Sequence, residues 1–235
     1  MLFVRELHEV VGAREEAFEA AYRDRFAAAL ARGGDARLLY YLHHAHGSGP
    51  SYHVVTITAV RDAAAWGALA RRMQDGDLAD LSRTLDGLRH DTTAKLLEPL
   101  PWSPLALPAL EQIPVAAEHE PALFMEDTVW PFEGRLDDYV ARAGTHYAGE
   151  LAKRADERRS MIELLAGFRC AWGAGRRREI VLWQRVTDPR GLQHLLTREI
   201  PAEYKRPGTW MHDALELRDR WESRLLRSAR WSPLG

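Results

Sequence analysis

Phe18, Tyr22, Phe26 and Leu30 recur every fourth residue with Glu and Arg between them, the spacing of an amphipathic helix with one aromatic stripe. Ahead of it, LFVRELHEV predicts a short strand, punctuated at Gly12. After Gly33-Gly34 the chain reads RLLYYLHHAHGSGPSYHVVTITAV. These are two runs rich in aromatic and β-branched residues around Gly-Ser-Gly-Pro, which predicts a hairpin. Helical spacing returns through Trp66, Leu69 and Met73, then through Leu78, Leu81, Leu85 and Leu88. TTAKLLEPL predicts a final strand, which Pro99 and Pro101 end. The order is β-α-β-β-α-β, the ferredoxin-like split βαβ motif: four antiparallel strands with both helices on one face.

The second half repeats the pattern. LFMEDTVW predicts a strand. RLDDYVARAGTHYAGELA places Leu136, Tyr139, Val140, Ala143, Tyr147 and Leu151 on one helical face. A hairpin follows around Gly173-Ala174-Gly175, then a helix that begins at DPRGLQHLL and resumes at WMHDALELRDRW, then a strand in ESRLLRSARWSPL. Trp-Ser-Pro-Leu occurs at residues 102–105 and again at 231–234. The matches are collinear: Leu2-Phe3 with Leu123-Phe124, Val60 and Asp62 with Val186 and Asp188, Leu96-Leu97 with Leu225-Leu226. An internal duplication accounts for this. The predicted units are residues 1–105 and 122–235, joined by a proline-containing linker over residues 106–121.

A single unit of this kind covers one sheet face with helices and leaves the other bare, which would invite aggregation. Two units closing face to face solve the problem. The expected fold is therefore α+β, with two antiparallel sheets packed as an intramolecular barrel. Further association into a homo-oligomer stays open.

Composition narrows the partners. Among 235 residues, Lys and Arg number 32 and Asp and Glu 34, so no global field favours nucleic acid or an anionic membrane. The densest basic run, Arg176-Arg177-Arg178, reads as a solvated hairpin tip. No apolar stretch is long enough to span a bilayer, no leader pattern opens the chain, and the single cysteine, Cys170, reads as a small core residue. A cytoplasmic location is expected. Phosphate-loop, nucleophile-elbow and dinucleotide fingerprints are absent from the sequence.

EGRLDDY at the start of the second unit's helix, IVLWQRV in its third strand, and a unit closing on LL and then WSPL resemble the NIPSNAP group of the dimeric α+β-barrel superfamily. Glu6-Leu7-His8 matches that group's first strand more loosely. The resemblance implies the barrel fold. It also implies a superfamily that includes cofactor-free monooxygenases, isomerases, lyases such as aldoxime dehydratases, and haem-dependent chlorite dismutases. It supplies no catalytic set.

Candidate chemistry therefore comes from strand alternation. If Leu164, Ala166, Phe168 and Cys170 face the helices, Arg169 faces the barrel interior, as does its repeat partner His43 with Tyr41 beside it. Glu6 and Asp127 form a matched pair of carboxylates on the first strands. In an apolar cavity Glu6, His43 or Asp127 could act as a base whose pKa burial moves toward working pH, with Arg169 holding the resulting oxyanion. Trp183 and Arg185 share one face with the corresponding His53, and which face lines the cavity stays open. The bland alternative is that all of these are packed, paired or solvated.

His44 and His46 share a face but lack a fixed metal-ligand pattern, so no metal is expected. Haem, on His146 or His194, is the cofactor alternative to cofactor-free chemistry. The leading expectation is a small-molecule enzyme acting on an apolar or aromatic metabolite by proton transfer or oxygenation. The competing expectation is a non-catalytic binding module of NIPSNAP type.

Overall fold

β1 (Leu2–Val10), β2 (Ala36–His44), β3 (His53–Val60) and β4 (Arg89–Pro99) form one antiparallel set, and β5 (Leu123–Trp130), β6 (Ile162–Trp172), β7 (Ile180–Val186) and β8 (Arg220–Ser228) form another. The two sets have the same internal order. In the computed structural model, which describes residues 1–156, 160–175 and 178–235, they join through β2 with β8 and β4 with β6. The result is a closed eight-stranded antiparallel barrel, β1-β3-β2-β8-β5-β7-β6-β4. Closure leaves no sheet edge unpaired, as expected for two ferredoxin-like units facing each other.

The helices lie outside. In the first unit α1 (Glu15–Ala21) and α2 (Ala27–Arg32) are one continuous helix with a π-helical turn at Tyr22–Phe26. α3 (Ala63–Gln74) and α4 (Ala79–Asp86) complete the cover. The second unit repeats this with α5 (Leu136–Arg142), a π-helical turn at Ala143–Ala148, and α6 (Gly149–Asp156), followed by α7 (Pro189–Thr197) and α8 (Trp210–Asp213). The matched aspartates Asp62 and Asp188 cap α3 and α7, accepting from the amides of Ala65 and Arg190. Among the described residues no helix is long and apolar enough to cross a membrane.

One expectation changes. Only Trp210–Asp213 of WMHDALELRDRW is α-helical; a short 3-10 turn follows, and Arg220 and Trp221 already belong to β8, where they pair with Trp130 and Val129. Tertiary pairing overrides local helical spacing there. In the segment 106–121, Leu110 and Ile113 are buried against the barrel interior. Its Ala117 and His119 amides donate to the carbonyls of Trp231 and Arg230.

The two WSPL copies fasten the units crosswise. Trp102, ending the first unit, donates from Nε1 to the Val140 carbonyl of the second, while Trp231 donates to Glu19 Oε1 of the first. Ser103 Oγ accepts from the Gly167 amide, and Ser232 Oγ accepts from the Tyr41 amide. The four contacted residues occupy matched positions of the repeat pattern. Trp102 fits because Gly144 and Gly167 lack side chains: a Cβ would lie 2.4 Å from the indole at Gly144 and 2.6 Å at Gly167.

The pseudo-symmetry axis runs along the barrel, since β1 and β5 point the same way. Arg5 and Glu126, matched positions of the two first strands, meet inside in a buried bidentate ion pair at 2.6 and 2.9 Å. Two identical chains would bring like charges together at such an axis. Within one chain the two positions differ, and the charges become complementary.

Candidate active site

Strand alternation sorts each expected site residue onto one of two faces. On β1, Val4 and Val10 pack on the helices and bring Glu6 and His8 with them; Phe3, Arg5 and Leu7 face inward. On β5, Phe124 and Glu126 face inward and Asp127 faces the helices. Glu6 and Asp127 therefore do not line the barrel interior, contrary to expectation, and lie on opposite outer faces.

β-bulges reverse the rest. The β2 register shifts between Leu38 and Tyr40, and the β6 register between Leu164 and Ala166. One extra residue flips every later side chain. Ala166, Phe168 and Cys170 thus face inward and Arg169 is exposed, paired with Glu98 at 2.6 Å. Likewise Tyr41 packs on Trp231 and Tyr22 at the helix face, and His43 lies between Glu15 and Glu19 at 3.3 and 3.2 Å. Burial pushes the Cys170 thiol up to about 11.

Trp183, Arg185 and His53 are on the interior side. Trp183 stacks on Phe124 at 5.2 Å and meets Tyr40 at 5.4 Å. Arg185 is paired with Glu163 at 2.7 Å. His53 lies 5.3 Å from His44, whose imidazole burial lowers to about 4. Among the described residues no group of three or more His, Cys, Asp or Glu could hold a metal ion. Of the basic run, Arg176 and Arg177 lie outside the described residues.

The two outer faces each hold an acid, Glu6 half-buried and Asp127 buried, but they are built differently. In the first unit Arg89 NH1 lies 2.6 Å from His8 Nδ1. Arginine only donates, so Nδ1 accepts and Nε2–H donates to Thr56 Oγ1 at 3.1 Å. Thr56 and Tyr22 both donate to Glu6 Oε2 at 3.4 Å. Burial raises the Glu6 carboxyl and drives His8 well below its ordinary value, which keeps the imidazole neutral. Phe18, Tyr22 and Phe26 cover this network.

In the second unit Tyr147, on the π-helical turn, donates to Gln184 Oε1. Gln184 Nε2 donates to Asp127 Oδ2 at 3.1 Å, and Ser223 Oγ donates to Asp127 Oδ1. Burial raises the Asp127 carboxyl, and these two donors and Arg218 work against the rise. Arg218 is itself only 6% exposed, and its Nε and NH1 have no hydrogen-bond partner. Its guanidinium stacks on Trp221 at 4.4 Å. Burial lifts the neighbouring Tyr139 phenol to about 12, with Arg218 opposing the rise.

A cleft of about 540 Å³ opens from solvent onto this face. Tyr147, Glu150 and Arg154 form one wall and Tyr204, Thr209 and Trp210 the other. Trp210 lies against Tyr139 and Tyr147, ring centroids 5.5 and 6.0 Å away, and Tyr147 links the cleft wall to Gln184 of the buried polar cluster. Tyr204 of the far wall belongs to IPAEYKRPG, which has no full counterpart in the first unit, and Thr209 and Trp210 follow it directly.

Folds of this kind recur among solved structures. A candidate monooxygenase from Lactobacillus acidophilus superposes with a TM-score of 0.59 at 7% identity, over 96% of this chain and 93% of that one. An anthrone oxidase-like protein gives 0.57 at 8% identity over 98% and 93%. Chlorite dismutase from Candidatus Nitrospira defluvii gives 0.52 at 8% identity over 97% and 90%. The chain has the dimeric α+β-barrel fold. Two NIPSNAP proteins, from Burkholderia xenovorans and Agrobacterium tumefaciens, are also among its structural neighbours, each covering less than half of this chain. No sequence family matches the chain, and no curated protein matches it in sequence.

Haem can be tested against the residues. His194 is exposed, and His146 is exposed at the edge of a cleft that carries Glu150, Arg154 and Glu203. A porphyrin needs a deep apolar slot beside its axial ligand. These residues do not fit that requirement.

Arg218 and Gln184 are the members that sequence reasoning missed as site residues. Gln184 was visible as a polar residue inside IVLWQRV. Arg218 fell within a stretch read as helical, which hid its position at the foot of β8.

Proposed function

We propose that this protein is a small-molecule enzyme that removes a proton from an aromatic, acidic carbon or phenol, with or without subsequent oxygenation, at the helix-covered face of its second unit. One observation carries the reading. A buried carboxylate of raised pKa, Asp127, lies in the field of a buried guanidinium, Arg218, which touches the Tyr139 phenol and whose Nε and Nη1 have no hydrogen-bond partner. Asp127 is the base, held in place by Gln184 and Ser223. Arg218 receives the oxyanion, as pre-organised donors do at developing negative charge. The substrate enters by displacing Trp210 at the end of the cleft. Burial of both groups supports the reading because it places Asp127 nearer working pH than a solvated aspartate.

Anthrone suits the test, since one structural neighbour is named anthrone oxidase-like. Asp127 would take the acidic ring proton, the anion would react with O₂, and loss of water would leave the quinone: anthrone and O₂ give anthraquinone and water. An oxygen electrode should record one O₂ per anthrone with the native protein. Arg218→Met should slow turnover roughly 10²–10³-fold, the scale of losing an oxyanion donor. Uptake no faster than in buffer, or a fully active Arg218→Met, would reject the proposal.

The NIPSNAP-type binding module has one observation in its favour. Phe3, Phe124, Phe168 and Trp183 occupy much of the barrel interior. That reading expects no turnover with any acidic aromatic carbon.

A further inference from the structure

The barrel interior has two unlike ends. The upper end, where the β2–β3 and β6–β7 hairpins lie, is lined by Arg5, Lys95, Glu179 and Arg224, with Lys95 and Glu179 paired at 2.5 Å. The lower end is apolar and contains a cavity of about 360 Å³. Its walls are aromatic, from Phe3, Tyr40, Phe168 and Trp183, with Ile57 and Ala166 between them. A volume in this range matches a molecule of two or three fused rings.

The wall is not wholly apolar. Trp183 is 2% exposed, and its indole N–H is buried without a hydrogen-bond partner. A buried donor left unsatisfied is costly, and most such groups in folded proteins find an acceptor. The Tyr40 hydroxyl lies alongside; burial raises its phenol and the approach of the Trp183 N–H works against that rise, without reaching hydrogen-bond geometry. The Glu163–Arg185 ion pair stands at the rim, with Glu163 on the cavity wall.

Both WSPL copies end at this cavity. Pro104 and Leu105 of the first, and Leu234 of the second, border it, together with residues 106–108. Among the described residues, 104–108 take part in no backbone hydrogen bond, so this strap can lift without breaking a ladder. Leu234 is tied down through its amide to the Leu39 carbonyl at 2.9 Å. The motif that fastens the two units therefore also forms the mouth of the space between them.

We propose that the lower barrel cavity is a binding site, separate from the Asp127 cleft, for a flat aromatic molecule bearing one carbonyl oxygen. The rings stack among Phe3, Phe168 and Trp183. A small adjustment of Trp183 and Tyr40 lets both donors reach the oxygen, and the 104–108 strap closes behind it. No acid or base projects into the ring-sized part of the cavity, so the site binds rather than reacts.

9-Fluorenone is the probe, because it has three fused rings, one carbonyl and no acidic C–H for the Asp127 site to act on. Fluorene, with the same rings and no carbonyl, is its control. Fluorenone should bind the native protein roughly tenfold tighter than fluorene, the difference made by one satisfied buried donor. The Trp183 indole N–H resonance should move downfield while that of Trp210 stays in place. Trp183→Phe should bring the two affinities to within about twofold, and Tyr40→Phe, which keeps the ring, should lower the preference part of the way. Equal affinities for the two probes in the native protein would overturn the proposal. So would a shift at Trp210 without one at Trp183, or no fluorenone binding up to its solubility limit. The native-protein spectrum decides even where a variant fails to fold.

Discussion

The helix-covered faces of the two units begin from the same parts and end differently. Each has an acid on its first strand, half-buried in the first unit and buried in the second, a tyrosine on a π-helical turn above it, and a tryptophan clasp from the other unit against its helices. In the first unit the acid is enclosed by a directed chain from Arg89 through His8 and Thr56, beneath Phe18, Tyr22 and Phe26. In the second, Gln184 and Ser223 hold the acid, a guanidinium with two unsatisfied nitrogens lies near it, and a cleft reaches the tyrosine from outside. One face is covered by an aromatic stripe and the other borders a cleft open to solvent. Two copies in one chain permit this division, as they permit Arg5 to oppose Glu126.

The crosswise clasps offer the largest perturbation. Trp102→Ala and Trp231→Ala should each cost about 3–5 kcal/mol in urea unfolding. Hydrogen exchange should then separate them, with Trp102→Ala loosening α5 and α6 of the second unit and Trp231→Ala loosening α1 and α2 of the first. Loosening confined to the unit that carries each tryptophan would contradict the exchange of clasps.

Next in size is the axial pair. Glu126→Ala leaves the Arg5 guanidinium buried and unpaired, and should destabilise the barrel by roughly 3 kcal/mol or more. The double variant Arg5→Met with Glu126→Leu should recover to within about 1 kcal/mol of the native protein, since apolar residues often replace a buried pair with little loss. A double variant as unstable as Glu126→Ala would show that the pair does more than neutralise itself.

Tyr147→Phe removes one hydroxyl from the second network and should cost about 0.5–1.5 kcal/mol in the same assay. Tyr22→Phe, on the first unit's π-helical turn, should cost no more, because its contact to Glu6 is long at 3.4 Å.

The smallest effect concerns acid. His8 and His44 belong to the first unit, and the matched positions of the second carry Val129 and Cys170. Burial lowers both imidazoles, His44 to about 4. A lowered folded pKa means that the unfolded chain binds the proton first. The stability that each histidine lends is full above about pH 6.5 and is lost as pH falls from there, for His44 down to about 4. Hydrogen exchange compared at pH 7 and pH 5 should show the first unit weakening before the second, and His8→Val should reduce the difference.

The repeat, the strand order and the barrel were legible because periodicity and the collinear WSPL, Leu-Leu and Leu-Phe matches report on whole elements. Side-chain direction was less legible, for two physical reasons. A bulge adds one residue without marking itself in the sequence, and those near Leu39 and Leu165 reversed Tyr41, His43 and Arg169. On β1 and β5 both faces are buried, so Val4-Glu6-His8 and Phe3-Arg5-Leu7 look equally able to face a core. Alternation separates two faces but does not say which one the helices cover.

The division between a stripe-covered face and one that borders an open cleft is tested most directly by measuring anthrone-dependent O₂ uptake in Glu6→Gln and Asp127→Asn side by side. The expected result is turnover within about twofold of native for Glu6→Gln and a fall of roughly 10²–10⁴-fold for Asp127→Asn. Equal losses in the two variants, or a loss confined to Glu6→Gln, would contradict it.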